Sequence, residues 1–175
     1  SSERRYAERP VDMPGMLSLL RREAMALEQR PREIELQLDS DCVLLGSESE
    51  LQSVVSNLLT NAIKYTPRDG SVTLRWWTDA DGGHISVRDT GVGVAAEHIP
   101  RLTERFYRVD SGRSREMGGS GLGLAIVKHA LHRHEATLRI DSTEGKGSTF
   151  TCDFPPHRLM TRADLKESLS LQAGG

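Results

Sequence analysis

The run from Ser47 to Tyr65 limits what this chain can fold into more than any other stretch. Leu51, Val54, Val55, Leu58, Leu59 and Ala62 recur at helical spacing, which predicts one long helix with a wide apolar face. A face that broad has to be covered by a second layer of structure. Pro67 cannot continue a helix and closes the run. Within it, "SNLLTNAIKYTP" (56–67) sets Asn57 and Asn61 four residues apart. Asparagine is a mediocre helix former, because its amide competes for backbone hydrogen bonds. Residues i and i+4 share a helix face, so two amides point the same way beside the apolar stripe. Packing alone does not call for that pair.

The rest of the chain alternates helix and strand patterns. "MLSLLRREAMALEQ" (16–29) places Met16, Leu17, Leu20, Ala24 and Leu27 on one helical face. "EIELQLD" (33–39) alternates with period two and predicts a half-buried strand, followed by a short one at "CVLLG" (42–46). "SVTLRWWTD" (71–79) and "HISVRD" (84–89) form a hairpin around "DADGG" (79–83). "GLGLAIVKHALHRH" (121–134) is helical, and "ATLRIDS" pairs with "GSTFTCDF" through "TEGKG" (143–147). Hairpin-connected strands flanked by helices imply an α+β fold. The expected form is a two-layer α/β sandwich, a mixed sheet covered on one face by helices. Residues 90–120 show no sustained periodicity, and a connection that long is expected to be functional or mobile.

Length and charge narrow the function classes. At 175 residues the chain is one ordinary domain, and a net charge of -2 gives no electrostatic case for nucleic acid. Cys42 and Cys152 are too few for a zinc site or a disulfide framework, which fits a reducing compartment. No run reaches the ~18 apolar residues of a membrane span, and no signal peptide is visible. "SSERRYAERP" (1–10) reads as the end of a linker, so the expected division is linker remnant 1–12, domain 13–155 and flexible tail 156–175.

Glycine clusters punctuate the ends of the predicted elements. "DTGVG" (89–93) follows a strand, "GGSGLG" (118–123) opens a helix and "GKG" (145–147) sits in a hairpin. Each has an ordinary reading as turn chemistry. "GGSGLG" is neither a Walker loop nor a dinucleotide fingerprint, because the flanking pattern of each is missing. A glycine-rich turn entering a helix nevertheless aims several N–H groups at one point, where the helix dipole favours an anion such as phosphate.

Order makes the set specific. N-x-x-x-N-A-x-K-[FY], then D-x-G-x-G, then "RFYR", then G-x-G-L-G-L-A, then G-x-G-[ST]-x-F follow one another between Glu48 and Phe154. This resembles the ATP-binding catalytic domain of sensor histidine kinases, a branch of the GHKL superfamily. "IPRLTERFYRVDSGRSREMGGSGLGLAIVKHA" (99–130) looks most like the phosphate-responsive sensor kinases of bacteria.

The resemblance implies ATP and Mg2+ as cofactors and assigns roles residue by residue. Asn61 becomes the metal ligand, a neutral carbonyl oxygen that adds no negative charge beside the phosphates, with Asn57 assisting. Lys64 pairs with a phosphate as a point charge, and Tyr65 lines the pocket. Asp89 accepts from the exocyclic amino group of adenine, while Gly91 and Gly93 let the backbone approach the base. Residues between the glycine boxes resemble an ATP lid. There Phe106 and Tyr107 anchor, and Arg108, Arg113 and Arg115 reach the γ-phosphate, a group suited to guanidinium forks. Gly119, Ser120, Gly121, Leu122 and Gly123 cradle the phosphates, and Thr149 completes the last box. One departure is Thr103, where the family often has phenylalanine.

The same resemblance makes this a protein-histidine kinase domain, with Asn57, Lys64 and Arg108 as its catalytic set. The family's phosphoacceptor motif is His followed by an acidic residue and then Leu-Arg-x-Pro. The only H-E pair, His134-Glu135, continues into "ATL", so the substrate histidine is expected on a separate dimerisation domain. His129, His132 and His134 lack metal-ligand neighbours and are expected to be surface or core residues. Implied partners are that homodimeric domain and a response regulator, in a protein anchored to the inner membrane with this part in the cytoplasm. Three alternatives stand beside this one. A GHKL-type ATPase carries Glu where Asn57 stands, an anti-sigma serine kinase shares the fold, and a nucleotide-binding regulatory module would lack transfer altogether.

Overall fold

The computed structural model describes residues 8–107 and 123–173. Its elements, in order, are β1 (Arg9–Val11), α1 (Met13–Met25), β2 (Glu33–Leu38), β3 (Val43–Gly46) and α2 (Glu48–Lys64). There follow β4 (Ser71–Asp79), β5 (Gly82–Asp89), α3 (Gly123–Arg133), β6 (Thr137–Thr143), β7 (Gly147–Phe154), β8 (Leu159–Met160) and α4 (Arg162–Ala173). A five-stranded sheet runs β2-β4-β5-β7-β6, parallel between β2 and β4 and antiparallel elsewhere. Helices α1, α2 and α3 line one face. The expected two-layer sandwich is the fold.

Period-two alternation supplies the inner face of the sheet. Val72, Leu74, Trp76, Ile85, Val87, Phe150, Cys152 and Phe154 are buried there, against Leu17 and Leu20 of α1, Leu51, Val55 and Leu58 of α2, and Val127 and Leu131 of α3. Ser47 caps α2 by accepting from the Glu50 amide at 3.3 Å, satisfying one of the helix's unpaired N–H groups.

Four boundaries differ from the sequence expectation. Helix α1 begins at Met13, three residues earlier than Met16, because Asp12 caps it by accepting from the Gly15 amide and Pro14 suits its first turn; it also ends at Met25, not residue 29. Arg9–Val11 and Leu159–Met160 are strands that flank β3 in a second, three-stranded sheet, so this unit reaches beyond both 13 and 155. Arg158 anchors that sheet, donating to the Leu45 carbonyl at 3.0 Å while paired with Glu8 and Glu135. Thr161 and Asp164 form a reciprocal capping box that starts α4 in the expected tail.

On the uncovered face, His84 lies between two carboxylates from different strands. Its Nδ1 faces Asp153 Oδ1 at 2.6 Å and its Nε2 faces Asp79 Oδ1 at 2.8 Å. Only the imidazolium can donate to both. Trp77 stacks on the ring at 5.0 Å, Arg75 lies over Trp77, and Arg139 donates to Asp153 from β6. Burial pulls the His84 pKa down, but the hydrogen bonds and charges of Asp79 and Asp153 outweigh it and raise the pKa above the ordinary value. A raised folded pKa contributes stability that is complete below the unfolded value of about 6.5 and is lost as pH rises through the folded one. His84→Gln should therefore lower the melting temperature by about 3 °C or more at pH 6, with the gap to wild type closing towards pH 9. Thermal melts across that range check it; a gap independent of pH would rule out the charged form.

Candidate functional site

The carboxyl end of β5 stops beneath the end of α2, and the backbone locks the two together. Tyr65 caps α2, and its carbonyl accepts from the Val92 amide at 3.2 Å. The Val92 carbonyl in turn accepts from the Gly145 amide at 2.7 Å, and the Val94 amide donates to Ser142 Oγ at 2.7 Å. Segments from "YTP", "DTGVG" and "TEGKG" thus meet as one structure.

Glycine is required at these crossings. A Cβ on Gly91 would stand 2.2 Å from the Tyr65 carbonyl oxygen. Gly147 has φ of +125°, and a Cβ there would lie 2.1 Å from the Asp89 carbonyl oxygen. Gly93, also at positive φ, crosses Thr143 in the same way.

Asp89 lies inside this frame with 6% of its surface exposed. Its Oδ1 accepts from the Gly91 amide at 2.9 Å, and the Ser148 amide donates to the same carboxylate. Burial raises its pKa; the two amide hydrogen bonds oppose that rise. A carboxylate held by two N–H groups keeps further acceptor sites for a ligand.

About one and two turns back along α2 from Tyr65, Asn61 and Asn57 are half-buried on the same face, with Lys64 just before Tyr65. The Asn57 amide donates to the Ser53 carbonyl at 2.7 Å and lies near Ser53 Oγ at 3.2 Å. Its nitrogen is therefore committed within α2, and its Oδ1 faces the start of α3, where a Cβ on Gly123 would lie 3.0 Å away. Gly123, the last residue of the second glycine box, meets the asparagine face through this contact.

The structure joins Tyr65, Asp89, Gly91 and Gly93 in one frame and sets Asn57 against Gly123, with Asn61 and Lys64 on the turn of α2 between Asn57 and Tyr65. It does not place Thr149 with them. Thr149 pairs with Arg88, whereas Ser148 pairs with Asp89, and strand alternation turns Thr149 to the uncovered face. Ser148 takes its place and binds Ser142 Oγ at 2.7 Å. The alternation of Phe150, Cys152 and Phe154 into the core already carried that signal.

Tyr107 does not point into this frame either. Its hydroxyl is hydrogen-bonded to His98 Nδ1, and Arg101 stacks on its ring at 4.4 Å. It anchors the segment after "DTGVG" to itself. Phe106, expected to anchor beside it, is 65% exposed at φ of +66°. Thr103 lines a depression of about 410 Å³ with Ile99, Leu131, Leu138, Ile140 and Lys128, separate from the Asp89 frame. Arg108, Arg113, Arg115, Gly119, Ser120, Gly121 and Leu122 lie outside the described residues.

Residues 46–158 match the family model described as histidine kinase-, DNA gyrase B-, and HSP90-like ATPase. The phosphate regulon sensor protein PhoR of Pseudomonas aeruginosa is 55% identical over 152 residues, covering 86% of this chain and 34% of that protein. PhoR of Haemophilus influenzae is 44% identical over 154 residues, covering 88% and 36%. The chain thus spans about a third of the length of these curated relatives. Among solved structures, the mycobacterial sensor histidine kinase MprB is similar at a TM-score of 0.67 and 29% identity, covering 85% of this chain and 97% of that one. The catalytic domain of histidine kinase ThkA shares the fold at a TM-score of 0.72 and 18% identity, covering 85% and 95%.

Proposed function

The chain belongs to the histidine kinase-, DNA gyrase B-, and HSP90-like ATPase family, and we propose that it is the ATP-binding catalytic domain of a sensor histidine kinase. It passes the γ-phosphoryl group of Mg-ATP to a histidine on a separate dimerisation domain of the same homodimeric protein. A response regulator would then receive the phosphoryl group. The relatives are sensor proteins, which supports a membrane-anchored whole protein with this part on the cytoplasmic side. Among the described residues, no helix is long and apolar enough to cross a membrane.

The observation that carries this reading is the glycine-enforced frame around Asp89, with the asparagine face of α2 opening onto Gly123. The residues present fit a nucleotide. Asp89 offers a buried acceptor for the adenine amino group, and Gly91 leaves room where a Cβ would fill the cradle. Lys64 and the start of α3 meet negative phosphate. Among the described residues no group of three or more His, Cys, Asp or Glu could hold a metal ion. Magnesium would therefore take Asn61 and nucleotide oxygens, the sparse protein coordination it commonly has. When bound, it neutralises charge on the transferred group. The chain's own part is to orient the nucleotide and set cations against the phosphates.

Nucleotide titration tests this directly. ATP and ADP should raise the melting temperature, by about 2.7 kcal/mol of stabilisation at a hundredfold excess over Kd, and GTP should not. Asn61→Ala should lose most of the magnesium dependence. Equal shifts with ATP and GTP would remove the role given to Asp89.

A further inference from the structure

His134 is completely buried at the end of α3, outside every motif of the nucleotide frame. Its Nδ1–H donates to the Ala130 carbonyl at 2.7 Å, inside its own helix. Its Nε2 accepts from the Ser47 amide at 3.0 Å, at the cap of α2. Those two bonds require the neutral ring with the proton on Nδ1. Burial keeps the pKa below the ordinary imidazole value; the Ala130 carbonyl and the charges of Glu50 and Glu8 oppose this, while Arg158 adds to it. Gly46 fits against the ring, since a Cβ there would be 2.6 Å from Cδ2. Glu50 of α2 and Arg133 of α3 add a second tie at the same end, at 3.0 Å.

Helix geometry carries this contact to the nucleotide frame. Asn57 follows Ser47 by ten residues and Gly123 precedes His134 by eleven, and each stretch spans about 15–17 Å of helix. The two helices are joined at Ser47–His134 and meet again at Asn57–Gly123, so they run antiparallel with matched lengths. A helix slides as a rigid rod. Slippage at the His134 end is therefore reproduced at Gly123.

We propose that His134 is a positioning residue for the nucleotide site, holding α3 in register on α2 so that Gly123, the first residue of α3, stands at Asn57. This rests on the nucleotide reading above, and its test separates the two.

His134→Gln keeps an acceptor within reach of Ser47, whereas His134→Asn keeps only a group short enough for Ala130. Affinity for Mg-ADP should stay within about threefold of wild type in the Gln variant and fall about tenfold or more in the Asn variant, at a temperature where both are folded. Ile34→Ala, in the core beneath α1, serves as a control that lowers melting temperature without changing affinity. Coupling between sites is reciprocal, so saturating Mg-ADP should slow exchange of the Ser47 amide by at least fivefold more than at Ile34. That exchange measurement on wild type decides the matter alone should the Asn variant not fold. Failure of wild type to bind any adenine nucleotide would refute the nucleotide reading itself. If wild type binds, equal affinity in the Asn variant overturns the positioning role, as does a Ser47 effect no larger than that at Ile34.

Discussion

Asp89→Ala should weaken ATP binding more than about 100-fold, a loss of about 2.7 kcal/mol, and lower the melting temperature as well. Two effects combine. The carboxylate accepts from the Gly91 and Ser148 amides while only 6% exposed. Removing it leaves two buried N–H groups unsatisfied, each costing about 1–3 kcal/mol. It also removes the acceptor offered to the adenine amino group, and a site built around a polar contact rejects poorly paired ligands strongly. Asp89→Asn separates the two. Its oxygen can still accept from Gly91, so the fold should lose less stability than in the Ala variant. Its NH2 would replace one acceptor by a donor, which opposes the adenine amino group. Calorimetric titration of Asp89→Asn with ATP and GTP should show a smaller ATP affinity and a reduced preference for adenine. An Asn variant that binds and discriminates like wild type would show that the carboxylate serves the fold alone.

Much of this frame was legible in the sequence, for physical reasons that vary by residue. Helix α2 was readable because its apolar positions keep one period from Leu51 to Ala62 and its ends carry Ser47 and Pro67. The glycine boxes were readable one at a time as turns. Their convergence was not, because it depends on backbone contacts such as Val92 to Tyr65 and Gly145 to Val92, between segments far apart in sequence. Strands β1 and β8 were illegible for the same reason: three and two residues carry no periodicity of their own, and each exists only by pairing with β3. The start of α4 did carry a signal, the T-x-x-D box at Thr161 and Asp164, in a stretch of weak amphipathicity. Ser148 was legible instead of Thr149, because in G-x-G-[ST]-x-F the [ST] position is Ser148 and Thr149 is the x, and strand parity points the same way. His84 and His134 were invisible, since their partners come from other strands and another helix, and composition does not say which histidine will be enclosed.

The isolated chain should bind ATP yet hydrolyse it very slowly and remain unlabelled by phosphate. Hydrolysis needs a base to orient and deprotonate water, and the residue four before Asn61, where the ATPase relatives are expected to carry glutamate, is Asn57. An uncharged amide cannot take that proton at neutral pH. The amide is moreover not free to reorient: its nitrogen is held by Ser53 and its oxygen faces Gly123. Transfer to histidine has no such requirement, because a neutral imidazole nitrogen already offers a lone pair. Mixing the chain with a separate dimerisation domain that carries the phosphoacceptor histidine should therefore produce acid-labile labelling of that domain. The yield should be low in trans, since a covalent linker supplies an effective concentration in the millimolar range. Asn61→Ala should reduce the labelling by more than about 100-fold, or about 2.7 kcal/mol of barrier, while Asp153→Asn on the uncovered face should leave it intact. Radiolabel transfer and phosphate release, measured side by side, distinguish the two chemistries. Rapid ATP turnover without any acceptor would replace the kinase reading by that of a conformational ATPase.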